Sequence, residues 1–165
     1  MKSSFLNNPD GKNTIIKQKI LSLCINEGEY SIAELSKETN TSIPTVTKLV
    51  SELIEEGYLE DLGKMGTSGG RRPSIYGLKA SAGYFIGADI SRNTVSLAVS
   101  NFKGSIIDYQ DDIPFTLEST EQSMDELSGL LRKYISKLGI DEDSVLAYGV
   151  NLTGRINHIT GYSFS

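Results

Sequence analysis

Between Ser42 and Ser51 the chain sets small hydroxyl side chains and one cation along a short segment: Ser42, Thr45, Thr47, Lys48 and Ser51. The residues between and after them, Val46, Leu49, Val50, Leu53 and Ile54, recur at helical spacing and predict an inward face. Slim hydroxyls suit a helix that approaches base edges in the DNA major groove, because bulky side chains would hold its backbone away. A second group is Gly69-Gly70-Arg71-Arg72-Pro73. Paired glycines let backbone lie against a neighbouring surface, and two guanidiniums can enter a narrow minor groove or clamp phosphates. A third is Asp89 and Thr94, which flank Ile90-Ser91-Arg92-Asn93. His158 and Cys24 stand alone. With no second His, Cys or suitably spaced acid, His158 reads as an exposed turn residue, and Cys24 in its apolar run reads as a small buried hydrophobe.

These groups need elements to carry them. Ile32 to Leu59 reads as two short helices joined by a tight polar turn. Ser31 is the expected N-cap of the first, with Glu34 at capping-box spacing, and Asn40 ends it. Ser42 is expected to cap the second helix, Pro44 sits in its first turn where a missing donor costs nothing, and Gly57 closes it. Thr14 to Glu27 predicts a supporting helix with Ile15, Ile16, Ile20, Leu21, Leu23, Cys24 and Ile25 inward and Lys17 and Lys19 outside. Tyr58 to Glu60 and Ser74 to Leu78 read as two strands, with Gly63 to Pro73 as the basic connection between them. Taken singly, the helix pair could be a solvated face of a small helical protein, and the basic segment a solvated linker. Their direct succession points to a winged helix-turn-helix whose bases and phosphates are met by Ser42, Thr45, Thr47, Lys48 and Ser51, with Arg71 and Arg72 in the wing.

The chain of 165 residues has a net charge of −5 and a hydrophobic fraction of 38%, a globular composition that argues against a protein coating nucleic acid without sequence preference. The charge is uneven: residues 1–79 carry 10 Lys and Arg against 10 Asp and Glu, and residues 80–165 carry 6 against 11. The neutral half holds the expected reader. No apolar run approaches the roughly 20 residues that span a bilayer. The first residues, through Lys12, read as a mobile arm without a signal pattern, and the single cysteine fits a reducing cytoplasm.

After Leu78 the pattern changes. Residues 84–90, 94–100 and 105–109 read as three strands in a meander. Ser119 to Leu138 reads as an amphipathic helix with Met124, Leu127, Leu131, Tyr134, Ile135 and Leu138 on one side, stopped by Gly139. Residues 145–152 read as a buried strand. This β-β-β-α-β order, with Asp89 near the end of the first strand, is that of a partial ribonuclease-H-like, actin-type ATPase lobe. The predicted fold is thus α+β and α/β, an arm over 1–12, a winged helix-turn-helix over 13–79 and the lobe over 80–165.

The segments GGRRPSIYGLKASAGYFIGADI and YGVNLTGRINHITG resemble the ROK family of repressors, open reading frames and sugar kinases. The resemblance runs from the helix-turn-helix through Gly161. It implies a transcriptional regulator, a repressor of carbohydrate genes that binds double-stranded operator DNA as a homodimer or higher homo-oligomer and responds to a sugar or sugar phosphate. The alternative it leaves is a ROK-type sugar kinase with an accessory N-terminal domain, and a third reading is a protein-interaction module that uses the winged domain without DNA. Family kinases carry a glycine-bearing loop where this chain has Asp89-Ile90-Ser91-Arg92-Asn93-Thr94, so Asp89 and Thr94 persist while both glycines are replaced. Of the family's second loop, Gly154 and Gly161 match and Thr153, Arg155 and Asn157 depart. The family's catalytic aspartate, sugar-contacting residues and zinc motif correspond to positions beyond Ser165, so no cofactor is expected in this chain, no enzyme activity is implied, and a fragment of a longer protein is expected. A folded fragment would leave its fourth strand and one sheet face uncovered.

Overall fold

The computed structural model describes residues 11–64, 73–118, 120–152, 155–156, 159 and 163–164. They fall into two compact units, Met1–Ala82 and Gly83–Ser165.

The first unit contains α1 (Lys12–Glu27), β1 (Tyr30–Ser31), α2 (Ile32–Thr39), α3 (Ile43–Glu55), β2 (Leu59–Lys64) and β3 (Ser74–Leu78). Its core is built from Ile20, Cys24, Leu35, Val46, Leu49, Val50, Leu53, Leu59 and Leu78, all buried. The helix predicted over 14–27 begins two residues earlier, and its buried stripe is narrower than expected. It consists of Lys17, Ile20 and Cys24, at i, i+3 and i+7, while Ile15 and Ile25 are 54% and 63% exposed. Lys17, expected outside, is therefore corrected to a buried position.

The turn chemistry is mostly as the sequence predicts. Ser31 and Glu34 form a reciprocal capping box. Asn40 ends α2 in the left-handed region with φ 50°. Ser42 occupies the N-cap position of α3, but its side chain caps no backbone group and its hydroxyl lies 2.9 Å from that of Thr45. Gly57, at φ 82°, follows α3, and the Tyr58 N–H donates to the Leu53 carbonyl at 2.9 Å.

The three strands of this unit form an antiparallel sheet in the order β1-β3-β2. β1 carried no local signal: two residues become a strand only because β3 lies alongside, with Tyr30 opposite Tyr76. β2 runs to Lys64 rather than stopping at Glu60, so Gly63 belongs to the strand and not to the connection. A bulge between Asp61 and Gly63 makes this possible, with Gly63 at φ 89° and its N–H held by the Asp61 carboxylate at 2.8 Å. Lys64 then pairs with Ser74.

The second unit contains β4 (Tyr84–Ile90), β5 (Thr94–Asn101), β6 (Ile106–Pro114), α4 (Glu121–Lys137), β7 (Val145–Leu152) and the short pair β8 (Arg155–Ile156) and β9 (Ser163–Phe164). The four-stranded sheet has the order β6-β5-β4-β7, antiparallel except for the parallel β4–β7 pair. Alternate residues Ile86, Ala88 and Ile90 of β4 and Val95, Leu97 and Val99 of β5 pack with Leu127, Tyr134 and Ile135 of α4. Met124, expected on that face, is 52% exposed. The buried side of α4 runs instead through Ser123, Leu127, Tyr134 and Ile135. β6 continues to Pro114, past the predicted end at Tyr109.

The prediction of a buried β7 is also corrected. Leu146, Tyr148 and Val150 are each about half exposed, because β7 is the outer strand beside β4 and only Val145 and Leu152 pack against the core under α4.

Candidate nucleic-acid interface

α3 is seated by its inward face. Val46, Leu49 and Leu53 are fully buried and Val50 nearly so, which fixes the rotation of the helix about its axis. The opposite face presents Pro44, Thr47, Lys48 and Ser51, at i, i+3, i+4 and i+7, with Ser42 exposed just before it and Thr45 half-buried. Five of the predicted contact residues therefore lie on or beside one helix face. Ile54, expected inward, is only partly buried.

Hydrogen bonds order this face. The Thr47 hydroxyl donates to the Ile43 carbonyl at 2.8 Å, which uses its one donor and leaves the oxygen of this exposed side chain an acceptor. A threonine so fixed offers an acceptor and an apolar group, the pair that can meet an amino group or a thymine methyl. Lys48 is largely solvated, its side chain 70% exposed and its ammonium 3.9 Å from Glu52 Oε1.

Behind that face lies a group that the sequence pattern placed on the outside. Lys17 Nζ sits 2.8 Å from Glu52 Oε2 and 2.8 Å from Glu56 Oε1, with its own side chain 7% exposed. Burial works to lower its pKa, but the hydrogen bonds and negative charges of Glu52 and Glu56 outweigh it, so the pKa is raised above 10.5. The ion triad ties α1 to the second half of α3. Its signal was in the sequence as spacing: Lys17 lies in register with Ile20 and Cys24 on the inward stripe. Burial also pushes the Cys24 thiol up to about 11, which keeps it protonated and unreactive at neutral pH.

The wing strands β2 and β3 follow α3 directly, and the Lys79 N–H donates to the Tyr58 carbonyl at 2.9 Å. Arg71 and Arg72 lie outside the described residues.

In the second unit, the predicted loop between Asp89 and Thr94 is a tight turn. The Ser91 N–H donates to the Thr94 carbonyl at 2.9 Å, and Ser91, Arg92 and Asn93 are exposed. Asp89 accepts a hydrogen bond from Asn151 Nδ2 at 2.8 Å, across the β4–β7 pair. An open groove of about 470 Å³ beside the turn is lined by Asn93, Phe115, Thr120 and Ser123, together with the acids Glu118 and Glu126 and, among the described residues, no cation. Such a lining repels phosphate. His158, Gly154 and Gly161 lie outside the described residues, and among the described residues no cluster of His, Cys, Asp and Glu could hold a metal ion. No helix among them is long and apolar enough to cross a membrane.

The family profile described as winged helix-turn-helix DNA-binding matches residues 14–60, the span of α1 to β2. A putative xylose repressor of Caldicellulosiruptor sp. (strain Rt8B.4) is 29% identical over 156 residues, which cover 92% of this chain and 39% of that protein. The xylose repressor of Bacillus subtilis (strain 168) is 25% identical over 145 residues, covering 86% of this chain and 37% of that one. A solved structure described as a ROK family transcriptional regulator, homolog of E. coli MLC protein, matches with a TM-score of 0.64 at 18% identity, covering 92% of this chain and 38% of its own.

The chain resembles these xylose repressors in sequence and the ROK regulator in fold.

It spans about two fifths of the length of these curated relatives. The ROK likeness in fold takes in both units, since the matched structure covers 92% of the chain. These relatives are named as repressors, and the solved structure as a regulator.

Proposed function

We propose that this chain is the DNA-reading part and the adjoining lobe of a sugar-responsive transcriptional repressor. The observation that carries the proposal is the outward face of α3, slim and hydroxyl-bearing, on a winged helix-turn-helix whose packing holds the opposite face of that helix fully buried. α3 enters the major groove with Thr47, Lys48 and Ser51 toward bases and phosphates, and Ser42 and Thr45 at its leading end. Arg71 and Arg72 of the wing reach the minor groove or its phosphates. Residues 13–79 are the reader and residues 80–165 the first part of the sugar-sensing body.

The lobe acts as a sensor and transfers no phosphate. Side chains of Ser91, Arg92 and Asn93 stand exposed on the turn where bare backbone would be needed for phosphate approach, and Asp89 is already engaged by Asn151. The xylose repressors among its relatives support an aldopentose as effector. A homodimer doubles the contacts, and sugar binding lowers operator affinity by favouring an arrangement of the two readers that the operator does not accept.

A gel-shift assay tests this. The longest form of the protein, incubated with the duplex upstream of its own gene and excess unrelated duplex, is expected to be retained, and xylose is expected to release it. Retention that unrelated duplex abolishes equally would remove sequence-specific reading, and ATP-dependent phosphorylation of xylose would replace the sensor with an enzyme.

A further inference from the structure

We propose that Lys17 is a positioning residue for DNA reading, which holds the Glu52 carboxylate and so leaves the Lys48 ammonium free for a DNA phosphate. The proposal rests on the DNA-reading function above. Its basis is a shared carboxylate: Glu52 turns Oε2 to Lys17 at 2.8 Å and Oε1 to Lys48 at 3.9 Å.

The two cations compete unequally. Lys17 is buried, is held by Glu56 as well, and has little water to turn to. Lys48 is solvated, and its order on the helix, Lys four residues before Glu, is the weaker of the two i,i+4 orientations. With Lys17 in place, Glu52 is neutralised from behind and Lys48 stays available. Without that charge, Glu52 and Glu56, four residues apart, repel each other and Lys48 becomes the nearest counter-ion. The reading helix would then lose a phosphate contact and gain an uncompensated carboxylate.

The test uses the full chain and a duplex selected by the wild-type protein from a random-sequence pool, with affinity measured over a salt series. Lys17→Met is expected to weaken binding about five-fold at fixed salt and to flatten the slope of log affinity against log salt by about one. Lys17→Met combined with Glu52→Gln is expected to restore the slope, because the acid that detains Lys48 is gone. A merely structural role for Lys17 would leave the slope unrestored. An unaltered slope in a folded Lys17→Met protein, or a slope that Glu52→Gln does not restore, overturns the proposal. If circular dichroism shows that Lys17→Met does not fold, a double-mutant cycle of Lys48→Ala and Glu52→Gln with Lys17 present decides. Independent effects, multiplying to within about two-fold, support it, and strong coupling between the two overturns it. A wild-type protein that enriches no duplex from the pool removes DNA reading itself, a result distinct from any change of slope.

Discussion

An ammonium 7% exposed and held by two carboxylates contributes to stability only while it is protonated. The pKa of Lys17 is raised in the folded chain, so its contribution is complete below the unfolded value of 10.5 and fades as pH rises through the higher folded value. The stability gap between wild type and a folded Lys17→Met protein is therefore expected to stay constant from neutral pH to about 10.5 and to narrow above it, as read by urea melts at stepped pH. Asn40 makes a conformational prediction at the same scale. A φ of 50° places its Cβ against the following carbonyl, a strain that Asn tolerates and Ala does not. Asn40→Ala should lower stability by about 1 kcal/mol while Asn40→Gly leaves it nearly unaltered, measured by thermal or chemical unfolding.

At the scale of elements, α2 begins in a capping box whose Ser31 and Glu34 satisfy each other's backbone N–H groups. Ser31→Ala removes the hydroxyl that accepts from Glu34 N and should cost about 1 kcal/mol, visible as a lower melting temperature with no change in which duplex is bound. Which elements were legible follows from where their determinants sit in the chain. The caps of α2, the buried positions Val46, Leu49, Val50 and Leu53, and the spans of β3, β4 and β7 are set by neighbours in sequence, and all match the pattern that predicts them. What local pattern could not disclose is set from a distance. β1 exists because β3 lies beside it, and the partners of Lys17, though not its inward register with Ile20 and Cys24, are set by Glu52 and Glu56 at the far end of α3. β7 has the unbroken apolar run of an enclosed strand, yet its position at the outside of the sheet, which no local pattern encodes, leaves Leu146, Tyr148 and Val150 half open. Within the candidate interface, the outward placement of Thr47, Lys48 and Ser51 on α3 follows the helical period, while the hydroxyl of Ser42 went to Thr45 instead of to a backbone donor.

Over the whole molecule, a charge of −5 makes non-specific adhesion to DNA weak, so the proposed operator binding rests on the few cations assigned to the reader. Arg71→Ala and Arg72→Ala should each weaken operator binding and flatten its salt dependence by about one, with the melting temperature unaltered. Operator affinity that survives both substitutions would take the wing out of the mechanism. The root of that wing has a consequence for how such a reader can be retuned. β3 is clasped between β1 and β2, and Lys64 faces Ser74 as a ladder partner, so the two ends of segment 65–73 are fixed one strand spacing apart by residues that belong to the sheet. Doubling the length of the segment should then cost the domain only about 0.6 kcal/mol. In the proposed reader, grip and foldedness thus sit on separate controls: glycine and serine inserted after Gly69 should shift operator preference while leaving the unfolding midpoint nearly unaltered.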